Sequence, residues 1–118
     1  MNYIFVIFIL ILFLIIVFKC KLRDKSSRGD KEAIIKSLIT QAGRWSTASV
    51  QDKNPIIAVL HANYGTGYLW AVSDIFGTDE IEKATNINYK KFRSIITRIQ
   101  YNATLRLIKE CPSSSPQP

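Results

Sequence analysis

One histidine and two cysteines leave little material for the chemistry that small proteins usually carry. A hydrolytic triad or dyad would have to be built on His61, with a nucleophile and an orienting group beside it. Ser46, Ser49, Ser73 and Asp74 are present, but none stands in a nucleophile-elbow pattern. Cys20 and Cys111 are too few for a disulfide framework and lack zinc-ligand spacing; in the cytosol both stay thiols. Glycine is scarce as well. Gly65-Thr66-Gly67 lacks the further glycine and the preceding strand of a dinucleotide fingerprint, and no Walker lysine follows. Asp79, Glu80 and Glu82 cluster without a nearby His or Cys, and helix capping explains them. These absences predict a chain that is not an enzyme, with no catalytic residue, no cofactor and no metal.

Charge is missing in another way. From Tyr3 to Phe18, YIFVIFILILFLIIVF, there is no charge, no glycine, no proline and no small polar residue. As a helix the run is about 24 Å long at ~1.5 Å per residue, slightly short of the ~17–25 residues usual for a span. Asn2 and the aliphatic stem of Lys19 extend it. Each Ile, Leu, Phe or Val favours insertion by ~0.3–0.6 kcal/mol. The run is therefore read as a transmembrane anchor, residues 1–18. A cleaved signal peptide needs a basic n-region and a small-residue cleavage site, and neither is present. A lipoprotein signal fails too, because Phe18 and Lys19 precede Cys20.

The basic residues explain the orientation. Lys19, Lys21, Arg23, Lys25 and Arg28 stand against Asp24 alone, so more than half of the net charge of +7 lies beside the run. They are expected to touch anionic headgroups, at ~1 kcal/mol per residue. The positive-inside rule puts the N-terminus outside and the C-terminal domain in the cytosol. Cys20, at the membrane surface among basic residues, is the candidate lipidation site. Asn102-Ala103-Thr104 is a glycosylation sequon that this orientation leaves unused.

Residues 19–29, KCKLRDKSSRG, read as a basic juxtamembrane linker. The remaining chain suffices for one small domain, residues 30–111. Asp30 is the expected cap of a first helix, Lys31 to about Asp52, with Ala33, Ile34, Leu38, Ala42, Trp45 and Ala48 on its core face and Ile35 and Ile39 alongside. Asn54 and Pro55 open a second helix to about Phe76, with Gly77 suited to a left-handed stop. Its expected core face is Ile56, Ile57, Leu60, Tyr64, Gly67, Tyr68, Ala71 and Ile75. No charge occurs between Lys53 and Asp74, so a second span competes with a bundle centre. His61, Asn63, Tyr64, Thr66 and Tyr68 favour the bundle centre, since their polar groups need partners in lipid. Thr78 is expected to cap a short acidic turn, Asp79–Ala84, and Asn88 a third helix, Tyr89 to about Glu110. That third helix turns Phe92, Ile96, Ile99, Ala103 and Leu107 inward. Residues 112–118 read as a disordered tail. The fold class is all-α: one N-terminal transmembrane helix, then a small three-helix bundle with one extra short helix.

On the third helix, Tyr101, Leu105 and Ile108 fall away from the core stripe by the ~100° step per residue. They sit among basic residues, Arg98 included, and are the candidate partner surface. The expected function is structural or adaptor: a protein-binding domain held at a lipid bilayer by its anchor. A membrane-tethered nucleic-acid-binding module is the alternative, because Lys90, Lys91, Arg93, Arg98, Arg106 and Lys109 share that helix. A homo-oligomer is compatible with either.

The run RWSTASVQDKNPIIAVLHANYGTGYLWAVSDI, with TNINYKKF, IQYNAT and ECP after it, resembles small uncharacterised membrane-anchored proteins encoded by large DNA viruses of algae and protists. The similarity covers about residues 36–112. It implies a viral protein of a virion or host-cell membrane and brings no catalytic motif.

Overall fold

The computed structural model describes residues 2–112. The expected tail at 113–118 lies outside them. The described chain is all-helical, with four helices: α1 (Tyr3–Gln51), α2 (Pro55–Ile75), α3 (Thr78–Thr85) and α4 (Tyr89–Glu110). The chain divides into two compact units, Met1–Ala33 and Ile34–Pro118.

In the first unit every described residue is exposed. The Tyr3–Phe18 run is helix throughout, and α1 is the one helix among the described residues long and apolar enough to cross a membrane. Residues 19–29 correct the expectation of a linker: they are helix as well. Asp30 lies inside α1 and caps nothing. The physical reason is cooperativity. Extending an existing helix fixes one residue per hydrogen bond, whereas starting one is costly. No proline interrupts the sequence before Pro55, and polar residues do not stop a helix by themselves. Arg28 and Asp24, one turn apart, come within 3.8 Å, an exposed pair of small energetic weight.

In the second unit the C-terminal part of α1 shares a core with α2, α3 and α4. Ile35, Ile39 and Ala42 pack with Leu69, Val72, Phe76, Ile81, Tyr89 and Ile96. Asn54 takes the expected cap position, its side-chain oxygen accepting from the N–H groups of Ile56 (2.9 Å) and Ile57 (3.4 Å), with Pro55 at the first turn. Asn88 likewise accepts from Lys91 N–H at 2.8 Å. The stop of α2 differs from expectation. Gly77 is extended (φ −70°) and serves as the cap residue of α3, with Thr78 already helical. The left-handed residue is Asn86, φ 55°, at the end of α3. Gly77 N–H donates to Glu80 at 3.2 Å, while Glu82 accepts from Tyr89 N–H at 2.8 Å and so closes the first turn of α4.

The core faces of α1 and α2 require the largest corrections. On α1 the buried residues are Ile35, Ile39, Ala42, Ser46 and Ser49; Ala33 and Ile34 are exposed. On α2 they are Ala58, Ala62, Gly65, Thr66, Leu69 and Val72. The bulky set Ile56, Ile57, Leu60, Tyr64, Tyr68 and Ile75 lies in solvent instead. The reason is close helix approach. A Cβ on Gly65 would fall 2.2 Å from Ser46 Oγ and 3.0 Å from the Ala42 carbonyl oxygen. Backbones this near leave room for Ala and Gly, not for Ile and Tyr. Gly67, by contrast, has open space around it. On α4 the expected stripe holds better: Ile96 and Ala103 are buried, Phe92, Ile99 and Leu107 half-buried.

Candidate interaction surfaces

Three surfaces follow from this architecture, one in the first unit and two in the second. The first is the apolar helix with its basic collar. By the ~100° step, Lys19 and Arg23 fall on one side of α1, and Lys21, Lys25 and Arg28 on the other. They ring the helix just after Phe18 rather than forming one stripe. All five are exposed, as is the free thiol of Cys20. A ring of cations at one end of an uncharged helix suits a headgroup layer, where every side of the helix meets phosphate.

The second surface is the outward side of α4. Tyr101 is 62% exposed, Leu105 46% and Ile108 38%, and Arg98 is exposed with them. Taking buried Ile96 as zero, these four fall at roughly 120–200°, opposite the core. The structure thus brings the expected partner residues onto one face. Arg106, which the sequence placed among the basic residues of the other faces, has a different task. Its guanidinium donates to the carbonyls of Asp52 (2.7 Å) and Lys53 and to Glu110 at 2.9 Å. It clamps the turn between α1 and α2 onto α4, and only a five-donor fork reaches all three acceptors.

The third surface, which sequence reasoning assigned to the core, is the outward side of α2. Leu60, Tyr64, Tyr68 and Ile75 lie along it, with Ile56 and Ile57 at its N-terminal end. Trp45 of α1 borders it, its ring edge-on to Tyr64 at 5.3 Å between centroids. Trp45, Asn63, Tyr64, Gly67, Tyr68 and Ala71 line a shallow groove there. The available signal was the two-sided apolarity of α2; only knowledge of its close approach to α1 would have selected the small-residue face as core.

His61 stands at the end of this groove. Its Nδ1 and the Asp52 carboxylate are 2.6 Å apart, and a carboxylate only accepts, so Nδ1 carries the proton. Trp45 covers the ring at 5.0 Å. The hydroxyls that could have served as nucleophiles are engaged or sealed. Ser49 donates to the Ala58 carbonyl at 2.7 Å, Ser73 to the Trp70 carbonyl at 3.0 Å, and Ser46 is buried against Gly65. The Asp52–His61 pair joins the end of α1 to α2, as Gln100–Asn63 (2.9 Å) and Arg93 over the Trp70 ring (4.9 Å) join α2 to α4. Among the described residues no three His, Cys, Asp or Glu side chains converge.

No protein-family model, no curated protein and no solved structure matches the chain.

Proposed function

We propose that the chain is a single-pass membrane protein of structural or adaptor type, whose second unit binds other proteins at a membrane. The observation that carries this reading is the uncharged helix from Tyr3 to Phe18, exposed at every residue, that ends in a ring of five cations. An apolar helix with no protein around it needs lipid, and the cations set its direction with the N-terminus outside. In this reading Cys20 sits at the headgroup level, open to acylation. Residues 34–112 then act as a cytosolic three-helix bundle with α3 as a short fourth helix. No catalytic step is assigned to it. The sequence resemblance supports a viral membrane as the setting.

The binding face of the adaptor is the outward side of α4. An apolar stripe of Tyr101, Leu105 and Ile108 beside Arg98 suits a partner with an apolar ridge and acidic flanks: the ridge supplies burial, the charges supply orientation. Replacing both Leu105 and Ile108 by Glu is expected to cut recovery of partner by the detergent-solubilised full chain by roughly tenfold or more. Helicity should not change, because both positions are exposed. Recovery equal to the unmodified chain would remove α4 as the binding face. A nucleic-acid partner would show itself in the same experiment, through release by nuclease and a steep loss with added salt.

A further inference from the structure

The outward side of α2 is an apolar face that nothing in the second unit covers. Ile56 is 58% exposed, Ile75 66% and Tyr64 46%, with Ile57, Leu60 and Tyr68 between them. Together the six side chains leave roughly 600 Å² open, the top of the range for the largest patch on a monomer. That approaches the ~800 Å² per partner of a standard interface. We infer that this face pairs with the same face of a second copy of the chain, so that the protein is a homodimer through α2. The inference rests on the reading of the chain as membrane-anchored.

Charge selects the occupant. The chain carries +7, and α4 alone exposes Lys90, Lys91, Arg93, Arg98 and Lys109. Two copies meeting through such surfaces repel. From Asn54 to Ser73 there is no charge at all and Asp74 is the one charge on α2, so α2 is where identical chains approach with the least like-charge cost. On α2 the one charge is Asp74, exposed near the C-terminal end of the face, whereas the α4 stripe lies among cations, Arg98 included. Shape agrees. Leu60, Tyr64 and Tyr68 form a ridge, and Gly67, with open space around it, and half-buried Ala71 form a notch beside it. A ridge and a notch on one face fit a two-fold axis, which sets each ridge against the other copy's notch. Copies anchored in one bilayer are concentrated and aligned, so a modest contact area is sufficient. Asn63 and the Asp52–His61 pair lie at the rim, where water reaches them. A lipid-facing role for α2 is disfavoured, since an interfacial helix draws on Lys and Arg flanking its apolar face and α2 has neither.

The test uses the full chain with Cys20 and Cys111 replaced by Ser, reconstituted in phosphatidylcholine vesicles at low protein density. A single cysteine is placed at Gly67, where a side chain meets nothing within 4 Å. A second preparation carries it instead at Ser94, exposed on the outward side of α4. Gly67→Cys is expected to give a covalent dimer with a short bis-maleimide reagent and Ser94→Cys none. Adding Leu60→Glu and Tyr64→Glu to Gly67→Cys should lower the dimer fraction by roughly tenfold with unchanged helicity. A monomer at both cysteine positions overturns the proposal, as does a Gly67→Cys dimer that survives the two glutamates or a Ser94→Cys dimer of equal yield. A chain that floats with the vesicles yet stays monomeric defeats only the dimer. A chain that does not float defeats the anchor and the dimer together.

Discussion

Replacing Leu10 and Phe13 by arginine is expected to move the chain from the membrane pellet to the alkaline-soluble fraction. The two positions lie in the middle of the uncharged run. Sixteen residues from Tyr3 to Phe18, most of them worth about 0.3–0.6 kcal/mol each in insertion, give roughly 5–10 kcal/mol in all. Each central arginine opposes this by about 2.5–3.5 kcal/mol and also removes a favourable residue. Two arginines therefore offset most or all of the driving force, where one does not. Snorkelling gives little relief at the midpoint of so short a helix. The matched Leu10→Ala, Phe13→Ala chain should stay with the membrane after a carbonate wash. Equal extraction of the arginine and alanine chains would mean that the run is held by something other than lipid.

Leu69→Ala is expected to destabilise the second unit by about 2–5 kcal/mol, enough to remove much of the stability of a small domain. Leu69 is fully buried in the core that it shares with Ala42 and Tyr89. Ile75→Ala, on the same helix and of similar bulk, should change stability by no more than about 0.5 kcal/mol, because its side chain is 66% exposed. Urea unfolding in mild detergent reads the difference through tryptophan fluorescence. Both tryptophans report on the right region: Trp45 lies tilted against His61 and edge-on to Tyr64, and Trp70 lies under Arg93. To keep dimer effects apart, the measurement belongs at a concentration below association. A larger loss for Ile75→Ala than for Leu69→Ala would reverse the assignment of the α2 faces.

This contrast marks where sequence reading works and where it stops. Helix ends were legible because local chemistry makes them. Asn54 before Pro55 and Asn88 before Tyr89 supply side-chain acceptors to orphan N–H groups, and both act as expected. The stripe of α4 was legible because its apolar residues recur at steps of three and four, apart from the outward Tyr101, Leu105 and Ile108. The core of α2 was not legible, because nearly every face of that helix is apolar and bulk was taken as the guide. Burial there is decided by distance: at Gly65 and Ser46 only small residues fit, while Leu69 and Val72 are buried further along the same face. The same stretch buries Ser46 and Ser49, which the expected core face of α1 did not include. Residues 19–29 misled for another reason. Their composition is that of a loop, but continuation of a helix from the apolar run depends on what precedes them, not on composition. The grip of Arg106 on the Asp52 and Lys53 carbonyls spans more than fifty residues of sequence and leaves no local trace.

The same limits apply to the surfaces. The apolar helix and the cations after it could be read from sequence because composition alone defines them. The α4 stripe could be read once a core face had been fixed. The α2 face is visible only once Ala58, Ala62 and Gly65 are seen to lie on the core side with Leu69 and Val72.

The account stands on a membrane-anchored chain whose second unit lies on the side of the cations, and Asn102 reads that side directly. Asn102 is exposed on α4 and stands in an Asn-Ala-Thr sequon. The chain should be synthesised into sealed microsomes and examined for glycan at Asn102, then treated with external protease. The account predicts an unmodified Asn102, a second unit digested from outside, and a protected fragment limited to the apolar helix. A glycosylated Asn102 with residues 34–112 protected from protease would contradict it.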